Sequence, residues 1–169
     1  MGGVIWAYGN KTIAPYSEQF YVGGANSIRA FTVRSIGPGR FHPANNSGYS
    51  YVDETGDIKL EANLEYRFRI LSNIMGGNLN GAAFLDAGNV WLMRKDEARP
   101  DAEFNLRHFF DSIALGTGVG LRYDLSFLIL RLDFGFALHV PYDTEKSGYY
   151  NIPKFKDGMG IHFAIGYPF

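Results

Sequence analysis

The chain has 169 residues, one domain's worth, and carries 16 Lys+Arg against 17 Asp+Glu for a formal net charge of −1; that balance argues against a general nucleic-acid binder, which shows a basic excess. It has no cysteine, which excludes disulfide scaffolds, cysteine-type structural zinc and thiol catalysis, and its longest aliphatic or aromatic runs, such as Phe127 to Leu130, are far shorter than the roughly 18 residues of a spanning helix. The 21 Gly, 14 Phe and 11 Tyr point instead to strands and turns, an all-β composition that suits a membrane barrel particularly well.

The chain opens Met1-Gly2-Gly3 with no basic-then-apolar leader pattern, which reads as the start of a mature fragment. Residues 3–9 form a plausible short first strand, and a long connection follows over 20–56. From Ile58 the pattern becomes regular. Ile58, Leu60, Ala62, Leu64, Tyr66, Phe68 and Ile70 alternate with Lys59, Glu61, Asn63, Glu65, Arg67 and Arg69. A helix would scatter these apolar residues around its circumference, so the pattern predicts a two-faced strand over 57–70. Residues 80–92 are apolar on both faces, yet their Ala, Gly, Phe and Val content favours a strand. In 112–124, Ile113, Leu115, Val119, Leu121 and Tyr123 oppose Ala114, Gly116, Gly118, Gly120 and Arg122. In 127–140, Leu128, Leu130, Leu132, Phe134, Phe136, Leu138 and Val140 oppose Ile129, Arg131, Asp133, Gly135, Ala137 and His139. The last strand, 158–169, sets Ile161, Phe163, Ile165, Tyr167 and Phe169 against His162, Ala164, Gly166 and Pro168.

These strands are longer than the roughly 5–6 residues of ordinary soluble strands and match the roughly 9–11 that a tilted strand needs to cross a bilayer. The connections alternate in length: long over 20–56, short over 71–79, long over 93–111, a tight turn at Asp124-Leu125-Ser126, and long over 141–157. Outer-membrane barrels carry long loops outside and short turns on the periplasmic side, which would make the C-terminus periplasmic. Alternation by itself also fits a soluble β-sandwich binding module, which would need no detergent.

Other motifs carry little chemistry. His139 and His162 read as hydrogen-bonded inner-wall histidines rather than metal ligands. Gly116, Gly118 and Gly120 precede no helix, so they make no phosphate loop; they make room for a covering segment or curve the sheet. Asp53, Glu54 and Asp57 lack calcium-loop spacing. No catalytic residue, metal site or cofactor is expected.

One connection is not ordinary loop. It reads Phe20-Tyr21-Val22-Gly23-Gly24-Ala25-Asn26-Ser27-Ile28-Arg29-Ala30-Phe31, with Ile36-Gly37-Pro38 close behind. Three further pieces follow in order: Leu64-Glu65-Tyr66-Arg67-Phe68, then Phe84-Leu85-Asp86-Ala87-Gly88-Asn89-Val90-Trp91, then Phe163-Ala164-Ile165-Gly166-Tyr167-Pro168-Phe169. Together they resemble the Omp85 superfamily of bacterial surface-antigen and barrel-assembly proteins, across essentially the whole chain. Ala30 stands where that family usually has Gly.

The resemblance implies an all-β fold of about six antiparallel transmembrane strands, the C-terminal portion of a larger barrel (1–169), with 20–56 as a lid loop entering the lumen. It makes Gly23, Gly24, Ile28, Arg29 and Phe31 the lid-loop anchor. It pairs Arg29 with two lumen acids, Glu65 and Asp86, and makes Phe163, Ile165, Tyr167 and Phe169 the terminal barrel signal. A guanidinium presents a fixed fork of donors that suits carboxylates bidentately. The implied function is assembly of proteins into the bacterial outer membrane, or translocation across it, by strand templating at a labile seam. The implied partners are the lipid bilayer, unfolded outer-membrane clients, accessory periplasmic or lipoprotein subunits, and either the remaining barrel strands or a second copy of the chain. Two alternatives stay open: a passive outer-membrane barrel or membrane anchor, and a two-partner-type secretion pore.

Overall fold

A computed structural model describes residues 1–6, 15, 17–42 and 54–166. Residues 7–9 of the expected first strand, residues 43–53 of the lid segment (Asp53 included), and Tyr167, Pro168 and Phe169 of the terminal motif lie outside the described residues.

Six strands form one antiparallel sheet in chain order: β1 (Gly2–Val4), β2 (Ile58–Ile74), β3 (Gly77–Trp91), β4 (Ala114–Leu125), β5 (Leu128–His139) and β6 (Met159–Gly166). Among the described residues the only helical pieces are 3-10 turns at Leu106–His108 and Phe155–Gly158. β1 and β6 are the sheet edges, and no strand pairs with their far sides among the described residues.

The period-two pattern sets the two faces. Leu64 and Tyr66 are each 70 % exposed, and Phe68, Ile70, Val119, Leu121, Ile161, Phe163 and Ile165 are exposed as well. So many large apolar side chains exposed on one face of a sheet are what a bilayer-facing wall requires. The opposite parity holds the buried polar residues Glu61, Asp86, Arg122, Asp133 and His139, with Ala137, on the inner wall, while Asn63, Arg67 and Arg69 of β2 stay exposed. Asp86 and Asp133 are fully inaccessible.

The hydrophobic core sits between that inner wall and the lid segment, not between two sheets. Val22, Ile28, Ala30, Phe31 and Ile36 of the lid pack against Val90, Ala114, Ala137, Val140 and Ile152. The lid therefore supplies half of its own docking surface.

The strands run further than their alternation indicated. The expected connection 71–79 shrinks to a turn at Met75-Gly76, because Leu71 pairs with Leu79 and Ile74 with Gly77 across register shifts. Asn73, Met75 and Gly76 have φ of 55°, 46° and 81°, the left-handed region that a tight hairpin needs. The bulge breaks the alternation just where the strand continues. The second tight turn falls at Ser126-Phe127, since Asp124 and Leu125 pair with Ile129 and Leu128. Tyr123 Oη donates to the Ile74 carbonyl at 2.7 Å and ties the two turns together.

Candidate functional site

The lid loop leaves Val22 through Gly23 and Gly24, whose φ values of 98° and 93° suit glycine alone. A Cβ on Gly23 would also collide with the Thr32 main chain. The loop then closes on itself. Gly24 N donates to the Phe31 carbonyl at 2.8 Å, Ser27 N to the Gly24 carbonyl at 3.1 Å, and Arg34 N to the Val22 carbonyl at 2.9 Å. Ile28 is fully buried and Phe31 nearly so. Ala30 keeps a negative φ, because the left-handed residues of this region are Gly23, Gly24, Arg34, Gly37 and Gly39.

At the tip, Arg29 meets both of the expected acids. Its Nε donates to Asp86 Oδ2 at 2.8 Å and its Nη2 to Asp86 Oδ1 at 2.8 Å. The Arg29 backbone N–H adds a third bond to Asp86 Oδ2 at 3.0 Å. Arg29 Nη1 pairs with Glu65 Oε2, and the guanidinium lies 3.7 Å from the centroid of the Phe84 ring. With every edge of the fork engaged and a ring beneath it, the cation loses water but keeps partners, which a buried charge requires.

The network reaches well beyond those three residues. Ser27 Oγ bonds Glu61, and Glu61 pairs with Lys59 Nζ at 3.2 Å. Asn63 Nδ2 donates to the Ser27 carbonyl at 2.8 Å and to Asp86 Oδ1 at 3.0 Å. Glu65 also receives Arg67 at 2.6 Å and Arg122 at 3.2 Å. Arg122 continues to Asp133 Oδ1 at 2.6 Å, and Arg131 reaches Asp133 Oδ2 at 3.5 Å. Arg131 Nη2 returns to the lid, donating to the Ala25 carbonyl at 2.8 Å. Charge thus runs from β2 to β5 beneath the loop. The alternation had placed Glu61, Asn63, Arg67, Arg122, Arg131 and Asp133 on inner faces, but which of them meet depends on register and was not foreseen.

Glycines give the loop its seat. A Cβ on Gly116 would strike Ala30, and one on Gly135 would lie 2.7 Å from Ala30 Cα and 2.8 Å from the Arg29 carbonyl carbon. A Cβ on Gly160 would sit 3.2 Å from the Ala30 carbonyl oxygen. Gly135→Val should therefore displace the lid without touching a charge, at a cost of about 1–3 kcal/mol. Gly166→Val, with nothing within 4 Å among the described residues, is the neutral control. Protease cleavage at Arg34 and Arg40, compared between the two variants, checks this.

A second cluster lies at the long-connection end. A cavity of about 630 Å³ is lined by His42, Glu54 and Tyr142 among others. His42 stacks on Tyr142 at 3.8 Å, and its Nδ1 stands 3.7 Å from Glu54 Oε1, beyond hydrogen-bond reach. Burial pushes the Glu54 carboxyl up to about 8 and His42 down; Tyr142 is raised by burial and by Glu54. A raised carboxyl stabilises the packed state fully below its unfolded value of 4.5 and loses that contribution as pH climbs through about 8. Hydrogen-exchange protection of residues 36–42, taken relative to the base-catalysed intrinsic rate, should fall between pH 5 and pH 9, and Glu54→Gln should flatten that fall.

His139 is held between connections: Nδ1 lies 2.7 Å from the Tyr149 carbonyl and Nε2 3.1 Å from that of Asp111. His162 Nε2 is buried without a hydrogen-bond partner among the described residues. Phe163 and Ile165 face outward on β6, 64 % and 67 % exposed.

Comparison with known proteins agrees with this geometry. The model of the Omp85 superfamily domain matches residues 1–169. The outer membrane protein assembly factor BamA of Nitratidesulfovibrio vulgaris is 28 % identical over 162 residues, covering 96 % of this chain and 17 % of that relative. The chain thus spans about a sixth of the curated relative that it matches. A six-stranded antiparallel sheet with an apolar outer face, a lid on its inner face and a family match from end to end places this chain in the Omp85 superfamily.

Proposed function

We propose that the chain is the C-terminal part of an outer-membrane barrel that assembles or translocates other proteins, with β6 as its closing strand and its C-terminus periplasmic. The observation that carries this reading is the division of labour across the sheet. The lid is locked to β2 and β3 through Arg29, Glu65 and Asp86. β6 joins the sheet through a short ladder, Met159–Gly166 against Ile129–Phe136 of β5, whereas β2 and β3 pair from Ile58↔Trp91 to Ile74↔Gly77. A braced lumen keeps the sheet's curvature while the β6 edge opens. Its free N–H and C=O groups then template an incoming strand by main-chain hydrogen bonding. No covalent step and no nucleotide is needed; the free energy comes from backbone pairing in lipid, where each unsatisfied group costs several kcal/mol. The clients are unfolded outer-membrane proteins, delivered by accessory periplasmic or lipoprotein subunits.

Charge reversal at Glu65 in the full-length protein tests the reading. Glu65→Arg should lower the outer-membrane levels of other barrel proteins while the variant itself still folds and inserts. Unchanged client levels with normal folding would sink the assembly role and leave a passive barrel.

A further inference from the structure

The β3–β4 connection folds back over the outward face of the sheet. Trp91 pairs with Ile58 at the top of the outer row. It is only 1 % exposed, because the connection covers it: Phe104 meets its ring edge-on at 5.5 Å, and Phe109 stacks on it at 5.9 Å. Trp91 Nε1 donates to Ser112 Oγ at 3.1 Å, so the indole and the connection hold one another. Trp91 shares the parity of Leu85 on β3, which pairs with outward Leu64 and is 42 % exposed, so it faces away from the lumen. Phe110 extends the aromatic group from Phe109 at 5.5 Å.

The next residues outward are bare. Leu106 is 79 % and Phe110 76 % exposed. Leu106 opens, and Phe110 follows, a 3-10 turn that Asn105 caps by accepting from Arg107 N at 3.0 Å, so the turn is built rather than loose. Arg107 is exposed and makes no ion pair among the described residues, while Phe104–Phe110 contains no acid. Two other segments bring aromatics to the same end of the outer face. Phe155 stacks on outward Phe136 at 5.3 Å, and Trp6, beyond β1, is 67 % exposed.

A turn that sets bare Leu106 and Phe110 beside Arg107 and His108, continuous with a bilayer-facing wall, has the mixed apolar and cationic chemistry of a segment lying in a membrane interface. We propose that Phe104–Phe110 is an interfacial anchor. Leu106 and Phe110 seat at the boundary between acyl chains and headgroups, and Arg107 extends its guanidinium to lipid phosphates, its stem running along the apolar surface. The anchor rests on the sheet being a membrane wall and does not require the assembly role.

The test is spin labelling of the full-length protein in phosphatidylcholine vesicles, in a cysteine-free background. Single cysteines replace Leu106 or Phe110, with Leu64→Cys as the wall reference and Glu145→Cys as the aqueous reference. At 106 and 110, collision with an aqueous nickel reagent should fall severalfold below that at 145, and collision with oxygen should approach that at 64. Arg107→Gln should move the labels measurably relative to the headgroups. Labels at 106 and 110 that behave like the label at 145 would overturn the anchor. Dipolar broadening between labels would also overturn it, by showing a second copy on this surface instead of lipid. Normal client assembly with water-exposed labels would remove the anchor alone; shielded labels with failed assembly would remove only the assembly role.

Discussion

Asp86→Ala should undock the lid loop at a cost of about 3–5 kcal/mol, the range for removing one partner of a buried ion pair. Asp86 is fully buried and accepts three bonds from Arg29, two from the guanidinium and one from the backbone. Asn63 Nδ2 would lose its 3.0 Å bond to Asp86 Oδ1 at the same time. Glu65 alone would hold Arg29, and Glu65 already serves Arg67 and Arg122. The result expected in detergent is rapid cleavage at Arg34 and Arg40, while the strands resist. Asp86→Asn should lie between parent and alanine variant, because an amide keeps a single acceptor oxygen and no charge. A lid as protected in Asp86→Ala as in the parent would show that the hydrophobic contacts of Ile28 and Phe31 hold it unaided.

Arg122→Ala is expected to be comparably severe, about 3–5 kcal/mol, for a reason away from the loop. Arg122 stands directly opposite Arg131 across β4 and β5, a like-charge neighbour that would destabilise an exposed sheet. Asp133, fully inaccessible, lies between them; its Oδ1 stands 2.6 Å from Arg122 Nη1 as an ion pair, and its Oδ2 accepts a long bond from Arg131 Nη2 at 3.5 Å. Losing Arg122 therefore leaves a buried carboxylate with one weak partner. Arg122→Ala/Asp133→Ala should recover part of the loss, since the orphaned charge is gone. Chemical unfolding of the two single variants and the pair measures the coupling; simple additivity would mean that the two residues do not interact.

These expectations show which parts of the molecule local sequence reaches. Thirteen residues of alternation from Ile58 predicted which side chains of β2 face outward, and Leu64, Tyr66, Phe68 and Ile70 do. Six strands and the long-short order of the connections were legible for the same reason: backbone geometry alone makes successive side chains point to opposite faces. Pairing of Arg29 with Glu65 and Asp86 came from resemblance, since nothing local links residues 36 and 57 positions apart. Strand ends were misjudged at 71–79, where a bulge at Asn73 hides the continuing ladder.

A period of two names the face of each side chain and is silent on its height along the strand. Hence the sequence by itself established an all-β wall, greasy outside and polar within, and put Arg122, Arg131 and Asp133 on its inner side. Only the folded sheet, through its register, decided that Glu65 faces Phe84, that Arg122 faces Arg131, and that four strands share one charge network under the lid. The same holds for Trp91 and its cover: the indole was visible in the sequence, but a connection turning back over it is a matter of long-range packing, which no local pattern encodes.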